Sequence, residues 1–163
     1  MTITVVLFAD TFPVVITDTI LTSPARFVKE PVALPSVVRP LESEFEIPTA
    51  LGPMKISDLS QKIHPFGRKG MFAYAGTEFV ARSIVRGISE RLERGEEMSE
   101  EFILGELNGL NEAERSSVSF AVIYGIDDHH RFRYFHDMQV FKSKVFGDVY
   151  FCGSGDNNLT DLL

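Results

Sequence analysis

Apolar and polar residues alternate from the start of the chain. Ile3, Val5 and Leu7 stand against Thr2, Thr4, Val6 and Phe8, a period of two that predicts a strand buried on at least one face. Asp10-Thr11-Phe12-Pro13 is a turn signal, and Val14-Val15-Ile16-Thr17 is a second β-branched run, so residues 2–18 read as a hairpin. Residues 19–54 then break every period, with Pro24, Pro31, Pro35, Pro40, Pro48 and Pro53 spread along them. Proline at this density excludes a long helix and a central strand. The segment reads as an insertion or extended loop, with a short edge strand near Phe27-Val28. A loop this long is uncommon in a compact domain, which points to a partner-contacting arm or partial disorder.

Periodicity returns after the prolines. Lys55 to Ile63 is expected to hold a short strand, and Gly70-Met71-Phe72-Ala73-Tyr74-Ala75-Gly76 another. Thr77 is placed as an N-cap. Val80, Ile84, Val85, Ile88 and Leu92 recur at three- and four-residue intervals, the apolar face of a helix over 77–94. Glu78, Arg82, Arg86, Glu90 and Arg94 form its solvated face, and Gly95 is a stop. Ser99 caps a second helix over 100–110, with Phe102, Ile103, Leu107 and Leu110 inward. The last third predicts four strands: 118–126, 131–136, 139–145 and 148–152. Gly153-Ser154-Gly155 breaks the last, and Asp156 or Asn157 is placed to cap a further helix. Blocks of strands, helices and strands predict an α+β fold with layered sheets.

Length and composition narrow the classes. A chain of 163 residues fits one domain, and 44% hydrophobic residues with 14 phenylalanines supply a sizeable core. A net charge of −7 argues against nucleic acid or an anionic membrane surface as the main partner. No run of 18 apolar residues is present, and no basic segment precedes an apolar one at the N-terminus. Cys152 is the single cysteine, which precludes an internal disulfide and fits a reducing compartment. The expectation is a soluble cytoplasmic protein.

The sharpest chemical candidate is Thr2. With Met1 removed, its hydroxyl is a nucleophile and its own α-amine, of ordinary pKa about 7.7–8.0, is a base. Asp18 follows sixteen residues later at the end of the predicted hairpin. Three further features come in order: Lys62-Ile63 ahead of a strand, Ala73-Tyr74-Ala75-Gly76 leading into a helix, and Cys152-Gly153-Ser154-Gly155 ahead of another. In this order and spacing the chain resembles the N-terminal-nucleophile hydrolases, specifically the proteasome β-subunit group and its bacterial two-ring relatives, over roughly 2–18 and 55–163.

The resemblance implies a four-layer αββα sandwich lacking its C-terminal elements, in a single domain over 1–163 with 19–54 as an insertion. It implies a threonine-type endopeptidase. Thr2 would be the nucleophile and Lys62 the cation beside its alkoxide. Asp18 would hold Lys62, Ser154 would bond near the Thr2 amine, and a backbone N–H around Gly76 would form the oxyanion hole. It implies a peptide or protein substrate, a homo-oligomer, and neither cofactor nor metal. Two departures stand out. Thr17 occupies the position where the family usually has Gly, and the stretch from Asp18 to Lys62 is longer than in the bacterial relatives.

Other readings compete. The fold would equally serve a catalytically silent structural or binding subunit, and an unrelated α+β binding domain would leave Thr2, Asp18 and Lys62 far apart. Lys55 rivals Lys62. Asp127-Asp128-His129-His130 with His136 offers metal-ligand types, although adjacent strand residues face opposite ways. Cys152 with His64 or His136 would make a cysteine nucleophile, against the usual fate of a strand cysteine, which is inert burial.

Overall fold

A computed structural model describes residues 3–7, 13–18, 20–24, 52–125 and 131–153, with backbone alone for 20–24 and 54–59. In chain order the elements are β1 (Thr4–Leu7), β2 (Val14–Thr17), β3 (Ile20–Pro24), β4 (Met54–Leu59), β5 (Ile63–Phe66), β6 (Gly70–Gly76), α1 (Glu78–Glu93), α2 (Glu100–Asn108), α3 (Glu112–Arg115), β7 (Val118–Gly125), β8 (Arg131–His136), β9 (Gln139–Ser143) and β10 (Gly147–Cys152). The fold is α+β, and all its sheets are antiparallel. The chain divides into two compact units. The smaller holds Met1 and residues 19–61, and the larger holds residues 2–18 and 62–163.

The larger unit contains two four-stranded sheets, ordered β2-β1-β10-β9 and β5-β6-β7-β8. The hairpin that opens the chain forms as the alternation predicts, with Thr4 opposite Thr17 and Leu7 opposite Val14. In the second sheet, residues of β6 and β7 part to two faces with period two. Phe72, Tyr74, Phe120 and Val122 lie against the helices, joined by Val80, Ala81, Ile84 and Ile88 of α1 and Phe102, Ile103 and Leu107 of α2. Ala121 and Ile123 turn the other way and pack with Val6 of the first sheet, with Val15, Met71 and Tyr150 around them. β7 is thus covered on both faces, which accounts for its nearly unbroken apolar run. Val5, Val149 and Phe151 form a further cluster on the far face of the first sheet.

The helices follow their sequence signals closely. The Ser99 hydroxyl accepts the Phe102 amide, a working N-cap. Thr77 stands at the start of α1 with extended backbone but makes no side-chain cap bond there. Arg91 fastens α1 to α2: it pairs with Glu96 and Glu106, donates to the Phe102 carbonyl, and lies 3.8 Å from the centre of the Phe102 ring. A short helix, α3, was not expected. Its four residues are too few to show a period, and it is held by a capping box between Asn111 and Glu114.

The smaller unit also departs from expectation. A strand, β3, occupies Ile20–Pro24 inside the stretch read as a loop, and pairs with β4. In a two-stranded sheet each strand is an edge, so Pro24 is tolerated there. The strand proposed near Phe27-Val28 and the helix placed after Asp156 lie outside the described residues.

Packing on the second sheet sets the stability of the larger unit. Phe120 is fully buried and stacks on Phe72 with ring centres 4.9 Å apart, whereas Phe79 is 78% exposed. Phe120→Ala is expected to cost about 3–5 kcal/mol, and Phe79→Ala under about 0.5 kcal/mol. Denaturant unfolding of the two variants checks the contrast, and equal losses would contradict this account of the core.

Candidate functional site

The opening hairpin meets the helix-bearing sheet through polar contacts. Thr4 is fully buried, and its hydroxyl donates to the Tyr74 carbonyl at 2.8 Å, joining β1 to β6. The Thr4 oxygen lies 3.1 Å from that of Thr17, and the Thr17 hydroxyl donates to the Ile3 carbonyl at 3.0 Å. The same carbonyl accepts the Asp18 amide at 3.2 Å. Thr17 therefore has work here: a glycine would leave the Ile3 carbonyl without its hydroxyl donor.

Asp18 and Lys62 form an ion pair, with Lys62 Nζ donating to Asp18 Oδ1. The Lys62 side chain is completely buried, and 20% of the Asp18 side chain reaches solvent. An ammonium taken out of water loses several kcal/mol of hydration, and only a close counter-charge offsets that loss. The backbone fixes both partners. Asp18 is anchored to Ile3, and the Lys62 carbonyl accepts the Tyr74 amide at 3.1 Å. The chain leaves the larger unit after Asp18 and re-enters it at Lys62, so this pair ties exit to entry.

Two residues beyond Tyr74, β6 ends at Gly76, which is exposed and has φ of 107°. A Cβ there would fall 2.2 Å from the Ser117 carbonyl oxygen. The position requires glycine on both counts. The next amide, Thr77, donates to the Ser117 carbonyl at 2.9 Å, and α1 begins.

Of the five residues predicted for the site, the structure joins Asp18 and Lys62 directly and places Gly76 on the strand bonded to Lys62. Thr2 and Ser154 lie outside the described residues. Their described neighbours are nevertheless brought to one end of the first sheet: Cys152 lies opposite Thr4, so Gly153 leaves the sheet at the end where Ile3 enters it. Lys55, the rival lysine, belongs to β4 in the smaller unit.

The competing chemistries find little support among the described residues. Cys152 is 4% exposed on β10. His136 stacks on Phe120 and its Nε2 lies 3.3 Å from the Arg115 carbonyl. Residues 127–130 lie outside the described residues, and among the described ones no three metal-ligand side chains converge. No described helix is long and apolar enough to cross a membrane.

His64 enters the sequence analysis only as a possible base for Cys152. It lies on β5 two residues past Lys62, stacked on Tyr74 with ring centres 5.9 Å apart. Its Nε2 is buried with no hydrogen-bond partner among the described residues. Burial holds its pKa below the ordinary histidine value; nearby Arg82 pushes it down further and Glu78 opposes. The sequence offers it as a candidate base but carries no sign of this burial, which tertiary packing sets. No family model, curated protein or solved structure matches the chain.

The ion pair makes a definite energetic statement. Asp18→Ala strands the buried ammonium and is expected to cost about 3 kcal/mol. Adding Lys62→Met to Asp18→Ala should recover most of that loss, because a well-packed apolar chain replaces the charge. Chemical denaturation of the two variants checks it, and a double variant no more stable than Asp18→Ala would contradict the account.

Proposed function

We propose that the chain is a proteasome-like, threonine-type amide hydrolase of the N-terminal-nucleophile class, built on an αββα frame. The observation that carries the reading is the buried Lys62–Asp18 pair at the end of the opening hairpin, where Ile3, the residue after Thr2, is bonded to Asp18. A buried lysine–carboxylate pair is a costly arrangement for stability alone. Beside an N-terminal threonine it has a chemical use.

The steps follow from the residue types. With Met1 removed, the Thr2 α-amine takes the hydroxyl proton, and the Thr2 oxygen attacks the substrate's amide carbonyl carbon. The Lys62 cation stabilises the forming alkoxide, and Asp18 keeps the ammonium aimed. The oxygen that gains charge in the tetrahedral intermediate is received by the amide at Gly76, where the turn into α1 leaves helix-start N–H groups without intrahelical acceptors. The proton passes to the leaving amine as the C–N bond breaks, leaving an ester on Thr2. Water then attacks that ester, releasing the carboxylic acid and restoring the hydroxyl. Ser154 bonds near the Thr2 amine in this scheme. The reading also carries a peptide or protein substrate, a homo-oligomeric assembly and a cytoplasmic setting. Retention of Met1 would convert the same fold into a silent structural or binding subunit.

Intact mass and turnover of a fluorogenic peptide amide test it together. The hydrolysing fraction should have lost Met1, and Thr2→Ala should lower kcat/KM by at least about 10³-fold. Undiminished hydrolysis by Thr2→Ala, or by chains that all retain Met1, would overturn the reading.

A further inference from the structure

We propose that the β3–β4 ribbon and the buried Lys62–Asp18 pair form one cooperative element: unpairing the ribbon loosens the ion pair, and breaking the ion pair loosens the ribbon. The coupling does not depend on the hydrolase reading. Whatever orders or unpairs the ribbon is then felt at the charge pair.

The chain itself supplies the links. Asp18 follows the last residue of β2, and Lys62 precedes the first of β5. Each therefore stands at a strand end, where pairing frays first. On its other side each meets the ribbon. Thr19 alone separates Asp18 from Ile20, and Ser60 and Gln61 separate Leu59 from Lys62. Neither connector can span more than about 11 Å, and Ser60 is buried. Ile20 and Leu59 are paired across the ribbon at the end nearest these connectors. The ion pair is thus bracketed between ladders, with β1–β2 and β5–β6 on one side and β3–β4 on the other. Without the ribbon, Asp18 and Lys62 become the fraying ends of their own segments. The ribbon depends on the pair in turn. A two-stranded sheet is marginal in water by itself. A tight turn ordinarily fixes the register of such strands, but β3 and β4 are joined at their far end by residues 25–53, far more than a hairpin turn. The register also shifts between Leu21 and Thr22, so the outer part of the ribbon does not dictate how Ile20 aligns with Leu59. The tie between Asp18 and Lys62 does. Coupling between two equilibria is reciprocal, so a pair that steadies the ribbon is steadied by it.

Two variants of the full chain test this from opposite ends. Thr22→Pro/Ser23→Pro removes successive backbone donors from β3 and so unpairs it from β4. The Lys62 ammonium is buried against Asp18 and reacts with acetic anhydride only when the pair opens. Its acetylation, followed by peptide mass spectrometry, should become at least about fivefold faster in this variant, while hydrogen exchange of the β7 amides keeps its rate. Asp18→Ala/Lys62→Met removes the pair without leaving a buried charge. The β3 and β4 amides should then exchange at least about fivefold faster, again with β7 unchanged. This second variant keeps the test intact should the two prolines prevent folding. Lys62 acetylation that is indifferent to loss of the ribbon, or ribbon amides indifferent to loss of the pair, overturns the proposal, because the sheets of the larger unit then hold the pair alone. Equal acceleration in β7 overturns it as well, since the loss is then global rather than coupled through the neck.

Discussion

A lysine ammonium with no access to water must be matched by a charge, and in this chain Asp18 is that charge. Much of the larger unit is arranged so that the two can meet. The hairpin must end where it does, because Asp18 is anchored through Ile3. The strand that follows Lys62 must pair with β6 in one register, because the Lys62 carbonyl takes the Tyr74 amide. The pair also closes the neck through which residues 19–61 leave and return.

The site inherits its rigidity from the core. β6 and β7 are gripped by helices on one face and by the first sheet on the other, and Tyr74 belongs to that grip while also binding Thr4 and Lys62 through its backbone. Gly76 then lets the chain turn from a buried strand into α1 at a φ that other residues avoid. Stable packing and the placement of the buried pair are thus carried by the same few residues.

Much of this frame was legible in the sequence because it rests on local periodicity. The two-residue alternation of Ile3, Val5 and Leu7 and the helical spacing of Val80, Ile84 and Ile88 each found their element within a few residues. The strand over 131–136 was placed without error. What escaped depends on distant partners or on length. α3 is too short to have a period, although its Asn-x-x-Glu capping box was visible. β3 was hidden because Pro24 argues against a central strand, and the pairing that makes it an edge is tertiary. Lys55 and Lys62 cannot be ranked from the chain alone, since burial beside Asp18 decides between them. His64 can be named from the chain as a candidate base, but the burial of its Nε2 is set by tertiary packing. Thr2 and Ser154 keep the roles that the order of motifs assigned them, and those roles are proposals.

Covalent capture tests the central claim most directly. A peptide vinyl sulfone or boronate that reacts with N-terminal threonines, applied to the Met1-free chain and mapped by tandem mass spectrometry, should label Thr2 stoichiometrically. Labelling should fall at least about tenfold in Lys62→Ala, because the cation that favours the alkoxide is gone. Labelling at Cys152 in place of Thr2, or labelling of Thr2 that is indifferent to Lys62, would contradict the assignment of the buried pair to a catalytic site.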